Sequence, residues 1–395
     1  MDNLKSNALN FISKEWLLLL LITVYFSNIG GSVWQYVMLL LIPVLIMKDS
    51  FWRYFDFNCI WVVVFSVSYA LITSIYGFSS SGDLIIFSTF PLMFYITGKY
   101  LMDTWTPQKN LLFLVLIVPI AFTVFNSVFS DVLKGGYLNL NRRIEVNGSN
   151  LAVTLIGVRL SLAIAAFGMI FSVARTKGER FFKYLLIFLG ILGVASTIHM
   201  LNRTGIVIAL VSSLAVLLTN WSRYAVWKIV LILFFVSLAG FEMYPKIKES
   251  KALSTYIQRE NDPGSGFNTA GGRTKRWVEG IEKIYTQPLG GGVYKKNGNK
   301  TYAHNFWLDV SELAGVLPFL ALIACTFINL RKNLILIRSK LISPFLASWL
   351  VTLNLGFFLA CFVEPIMEGI PSFAFLYFFF WGMTSILYDR VVVDN

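Results

Sequence analysis

The chain alternates apolar blocks with short polar connections. The blocks fall at 16–29, 33–47, 60–76, 84–102, 110–129, 150–173, 184–200, 204–219, 226–244, 305–329, 341–363 and 370–388. Each approaches the roughly 17–25 residues that carry a helix across a hydrocarbon core, so the pattern predicts about twelve membrane spans. Cations sharpen this reading. With the N-terminus inside, the internal connections hold Lys48 and Arg53, Lys99 and Lys109, then Arg175, Lys177, Arg180 and Lys183. Arg223, Lys228, Arg331, Lys332, Arg338 and Lys340 follow on the same side. The short external connections near Gly30, Ser80 and Pro365 carry no Lys or Arg. That asymmetry is the positive-inside pattern and places both termini in the cytoplasm.

Two external segments are longer, about 130–149 and about 245–304. Both are basic, against the local bias. Long loops translocate regardless of charge, so the topology stands and the charge needs another reason. The expected architecture is all-α: a single integral membrane domain over 1–395 with two periplasmic excursions. Near Arg273–Tyr285 the residues Trp277, Ile281 and Ile284 predict a short amphipathic helix on the membrane surface.

Composition agrees. The 395 residues are 56% hydrophobic and only 14% charged, where a soluble domain carries about 25% charged residues. The net charge of +12 would suggest nucleic acid for a soluble protein. Here the cations lie mostly in loops between spans, and nucleic acid is not an expected partner. Cys59, Cys325 and Cys361 lie in or beside apolar blocks, which predicts free thiols. The first block has no small-residue cleavage site, so no signal peptide is expected.

Candidate chemistry gathers on the external side: Arg142, Arg143, His199, Arg203, Arg273, Lys275, Arg276, His304 and Asn305. His199 and His304 are the only two histidines. Guanidinium groups at a membrane surface suit a phosphate or pyrophosphate, whose oxygens match their donors. Several could stabilise a diphosphate as leaving group. They could equally snorkel to headgroups or pair with acids. His304 and Asn305 open an apolar helix, where an anion is favoured and a histidine can take a proton from a hydroxyl. A histidine there can also serve as a cap and nothing more. By helical spacing His304, Leu308 and Glu312 share a face, and Arg159 is the expected partner for that buried acid. Glu364 and Glu368 fall in an external turn, either solvated or balancing the arginines. No paired-Asp, HExxH, P-loop or cysteine-cluster motif appears. Metal-free chemistry with no cofactor is expected.

Read together, these segments resemble the O-antigen polymerase and O-antigen ligase family of bacterial inner-membrane proteins. The resemblance rests on Arg142-Arg143 before Asn147-Gly148-Ser149-Asn150, and on Asn202-Arg203-Thr204-Gly205 opening a span. It continues with Arg273 and Trp277 before Pro288, Gly290 and Gly292, then His304-Asn305, Glu312 and Gly315. By motif it covers 140–320, and by span count the whole length.

The resemblance implies a glycosyltransferase-C-like polytopic fold and transfer of a glycan from undecaprenyl pyrophosphate at the periplasmic face. A polymerase extends another lipid-linked repeat; a ligase passes the glycan to lipid A-core. The form of the His-Asn segment and the arginines in both excursions favour the polymerase. The implied roles are pyrophosphate binding by Arg203 and Arg273 with Arg276, Arg143 and Arg142, and catalysis by His304 with Asn305. Arg159, Glu312 and His199 are the supporting set. Membrane lipid and a chain-length regulator protein are the further expected partners. A flippase for lipid-linked oligosaccharide is the alternative class. It predicts internal repeats and polar residues deep in several spans, whereas the polar weight here lies on one face.

Overall fold

The computed structural model describes residues 2–27, 36–47, 50–104, 113–137, 143–146, 149–221, 254, 273–292, 294–296 and 299–393. Arg142, the block at 226–244 and much of the large excursion, including 261–272, lie outside the described residues. In chain order the principal helices begin with α1 (Asp2–Ser27), α2 (Phe57–Ile75), α3 (Ser81–Thr104) and α4 (Val118–Gly135). A hairpin of β1 (Arg143–Val146) and β2 (Ser149–Ala152) follows. Then come α5 (Val153–Ala165), extended by a 3-10 segment to Phe171, α6 (Lys177–His199) and α7 (Arg203–Thr219). After α8 (Arg273–Thr286) a second hairpin pairs β3 (Tyr294–Lys296) with β4 (Asn299–Thr301). The chain closes with α9 (Phe306–Ala314), α10 (Val316–Arg338), α11 (Pro344–Val363), α12 (Ile366–Gly369) and α13 (Pro371–Tyr388).

The fold is mostly helical. Seven helices among the described residues are long and apolar enough to cross a membrane: α2, α3, α5 with its extension, α6, α10, α11 and α13. The chain is thus a polytopic membrane protein. Two elements depart from the sequence reading. Both excursions carry an antiparallel hairpin, registered Arg143 to Ala152 and Tyr294 to Thr301. The expected span at 305–329 is broken at Gly315 (φ 82°), which separates α9 from α10.

The chain divides into two compact units. One comprises Met1–Thr123, Arg276–Ile342 and Ala360–Asn395; the other comprises Val124–Lys275 and Ser343–Leu359. In the first, α3 crosses α13 at backbone contact. A Cβ on Gly98 would sit 2.1 Å from the Phe379 carbonyl oxygen, and one on Gly382 would sit 1.9 Å from that of Tyr95. Close crossing of small residues is how helices gain contact in lipid, where burial alone gives no drive. An aromatic layer of Phe90, Phe94 and Phe375 fills the space beside it.

Several cations counted as topology signals are consumed here by acids. Lys99 meets Asp56 at 2.6 Å, Arg53 meets Asp103 at 3.1 Å, and Lys332 meets Asp389 at 3.7 Å. Arg390 also pairs with Asp103. Asp56 additionally caps α2 by accepting the Cys59 amide at 3.0 Å.

In the second unit, α6 and α7 join through a tight turn. Asn202 caps α7 by accepting the Gly205 amide at 3.3 Å. Gly168 brings the 3-10 extension against the Ser212 backbone of α7 at 2.8 Å from its notional Cβ. The three cysteines are free and buried, as expected.

Candidate functional site

His304 stands immediately before α9, in the left-handed region with φ 57°. Asn305 caps the helix. Its Oδ1 accepts the Leu308 amide at 3.2 Å, and its Nδ2 donates to the Phe362 carbonyl at 3.1 Å. The side chain is therefore committed at both ends and buried. Asn305 thus organises the helix start. Because His304 precedes the helix, it also does not share a helical face with Leu308 and Glu312, contrary to the spacing argument.

The histidine's neighbour is Glu364. Its Oε2 lies 3.6 Å from His304 Nδ1, with 2% of the Glu364 side chain exposed against 30% for the histidine. Nδ1 itself is buried and makes no hydrogen bond among the described residues. A buried carboxylate on one ring nitrogen favours the proton there and leaves the other nitrogen as a lone-pair acceptor. At 3.6 Å the contact is electrostatic and longer than a hydrogen bond. Glu364 is buried, so of the two sequence readings the solvated one does not hold.

The glycines of the second motif have a structural reason. The loop after α8 lays its backbone on the end of α9. Gly291 and Gly292 donate to the carbonyls of Leu313 and Glu312 at 3.1 and 3.0 Å, and the Pro288 carbonyl accepts the Val316 amide at 2.8 Å. The last carbonyls of α9, which no helical partner reaches, are satisfied in this way. Behind them, α8 packs on α9 through Gly280, whose notional Cβ would be 3.5 Å from Leu308 Cβ. Trp277 turns inward, edge-on to Phe362 at 5.0 Å. Val278, Ile281 and Tyr285 remain exposed along α8, so the amphipathic helix exists but presents a different apolar face.

Glu312 finds its cation on α8: Lys283 Nζ is 3.1 Å from its Oε1. Lys283, not Arg159, is the partner. Burial raises the proton affinity of Glu312, and Lys283 with Arg276 opposes that effect. Two further acids lie nearby. Asp309 is fully buried, and burial followed by the fields of Glu368 and Glu312 holds its carboxyl well above the usual range. Both Glu368 oxygens are buried, which pushes that group up from 4.5 to about 7, against the lowering effect of Tyr69.

A raised folded-state value means the folded protein binds this proton more tightly than the unfolded chain. The associated stability is intact below pH 4.5 and lost as pH rises to about 7. Melting curves of the purified protein should weaken across that window by on the order of 2–3 kcal/mol. Glu368→Gln should flatten this dependence; an unchanged slope would show that Glu368 does not cause it.

The second unit holds the other candidates. Arg143 opens β1 with an exposed side chain. His199 is buried, 3.0 Å from Asp131 and stacked on Tyr137. This pair ties α6 to α4. Arg203 occupies the first turn of α7 behind its Asn202 cap. Arg159 has a buried Nε without a hydrogen bond among the described residues. Arg273 is the first residue of α8, one turn before Arg276. The residue that sequence reasoning missed is Glu364. Its signal was that of one of two acids, with Glu368, between two long apolar blocks, with nothing in the spacing to name its partner.

Compared with known proteins, the chain matches no family model and no curated protein.

Proposed function

We propose that this protein is a surface-polysaccharide polymerase of the O-antigen type. The observation that carries the reading is the His304–Glu364 pair: a partly exposed histidine at a helix start, backed on Nδ1 by a buried carboxylate. In this reading about twelve spans form a glycosyltransferase-C-like fold in the bacterial inner membrane, with both termini cytoplasmic and the site periplasmic. The donor is a glycan on undecaprenyl pyrophosphate and the acceptor a sugar hydroxyl of a second lipid-linked repeat. His304 Nε2 takes the hydroxyl proton. The oxygen attacks the anomeric carbon, and the bond from that carbon to the diphosphate breaks. The lipid diphosphate leaves with the electron pair. Arg203 and Arg273, with Arg276, Arg143 and Arg142, bind the diphosphate. No metal or cofactor is required by this scheme. The exposed stripe of α8 rests on the membrane surface, and a chain-length regulator is the expected protein partner.

A strain lacking the gene tests both class and subtype. A polymerase null leaves a single repeat on the lipid A-core. A ligase null leaves the core bare while lipid-linked polymer accumulates. A flippase null exposes no repeat at the outer face, and purified protein would then move labelled lipid-linked glycan across liposomes without extending it. Within the polymerase reading, Arg273→Lys should reduce chain extension by roughly tenfold, because an ammonium cannot reproduce the guanidinium's paired donors. Full activity with lysine would reduce Arg273 to a simple charge.

A further inference from the structure

The backbone amide that follows His304 is held by a buried carboxylate. Asp309 Oδ2 accepts the Asn305 amide at 3.0 Å. Asp309 is fully buried, and among the described residues its Oδ1 has no hydrogen-bond partner. His304 stands directly before that amide, at φ 57°. For a residue with a Cβ that conformation costs about 1–2 kcal/mol, so the surroundings must impose it. Asn305, on the far side, is extended at φ −149° and locked by its own cap and by Phe362.

We infer that Asp309 is the residue that positions His304, holding the backbone amide that follows it so that the ring meets Glu364 with one edge and the open side with the other. Asp309 does not touch substrate in this scheme; it acts through the backbone. An accepting oxygen is all that the task needs, and a negative charge is not. Asparagine, which keeps a carbonyl oxygen at that position, therefore replaces it, whereas alanine does not. This separates a positioning role from proton transfer by Asp309 itself, which asparagine would abolish.

The catalytic half of the inference rests on His304 being the base, so the test has a readout that does not. The full-length protein is placed in lipid nanodiscs with isotope-labelled histidine. The chain has only two histidines, and His304→Gln identifies the His304 ring signal by its loss. Asp309→Ala should shift that signal and lower turnover on a polyprenyl-diphosphate glycan by roughly 100-fold, the cost of a displaced catalytic group, with KM for the donor unchanged. Asp309→Asn should keep the parental ring signal and turnover within a few-fold of the parent. If Asp309→Ala does not accumulate, Asp309→Ser, polar but too short to reach the Asn305 amide, gives the same comparison. An unmoved ring signal in the short variants overturns the inference. So does an Asp309→Asn protein as impaired as Asp309→Ala. A shifted ring signal in a protein that never extends glycan would keep the positioning role and remove the polymerase reading.

Discussion

His304→Ala should lower glycan extension by roughly 10³-fold, within the usual contribution of a general base, while leaving the protein folded and able to bind the lipid-diphosphate donor. The ring is 30% exposed, whereas its partner Glu364 is 2% exposed. Removing the ring takes away the proton acceptor without opening a cavity in the core. Glu364→Gln should cost less, on the order of tens-fold, because the ring survives but loses the carboxylate that fixes its tautomer. The double variant should be no worse than His304→Ala alone, since residues that act as one unit do not add. Purified proteins, compared for donor binding and for polymer length on gels, provide the check. Independent, multiplying losses would separate Glu364 from His304 and break the pair on which the functional reading stands.

The membrane architecture was legible because lipid imposes a simple rule on composition. Blocks such as 60–76 and 370–388 became the spanning helices α2 and α13. The amphipathic period at Arg273–Thr286 likewise became α8. What failed were inferences needing tertiary placement. Helical spacing joined His304 to Glu312, but His304 lies outside the helix because its backbone turns left-handed there. Charge alone gave Glu312 the partner Arg159; the Gly280 contact of α8 on α9 instead brings Lys283 to it. Glu364 became relevant only because the turn after α11 returns to the start of α9, where Phe362 accepts from Asn305. The hairpins carried a readable signal: each pair of strands flanks an Asn-Gly dipeptide, Asn147-Gly148 and Asn297-Gly298.

Gly315→Ala should be the most destabilising single-methyl change in this region. A Cβ at Gly315 would lie 2.4 Å from the Pro288 carbonyl oxygen and 2.8 Å from the Gly290 amide nitrogen. Both are backbone atoms and cannot rotate aside. The reciprocal position is as tight: a Cβ on Gly290 would meet the Gly315 nitrogen at 2.7 Å. Two costs therefore add at Gly315: a backbone at φ 82°, ψ −170°, a region adopted essentially by glycine alone, of about 1–3 kcal/mol, and an overpacking term of about 1–3 kcal/mol. Gly77 is a positive-φ reference free of the second, because its φ is 66° and nothing lies within 4 Å of its notional Cβ. Gly77→Ala should carry the conformational cost alone and lower the melting temperature only slightly. Gly315→Ala should lower it by clearly more and should also release the 288–292 loop from the end of α9, which hydrogen exchange at Gly291 and Gly292 would detect. Freed there, α9 loses the anchor at its far end that keeps Asp309 and the His304 turn in register, so glycan extension should fall together with stability. Equal melting shifts for the two alanine variants would mean that the glycine-on-glycine contact does not fix α9, and the Pro-Gly motif would need a reason other than backbone approach.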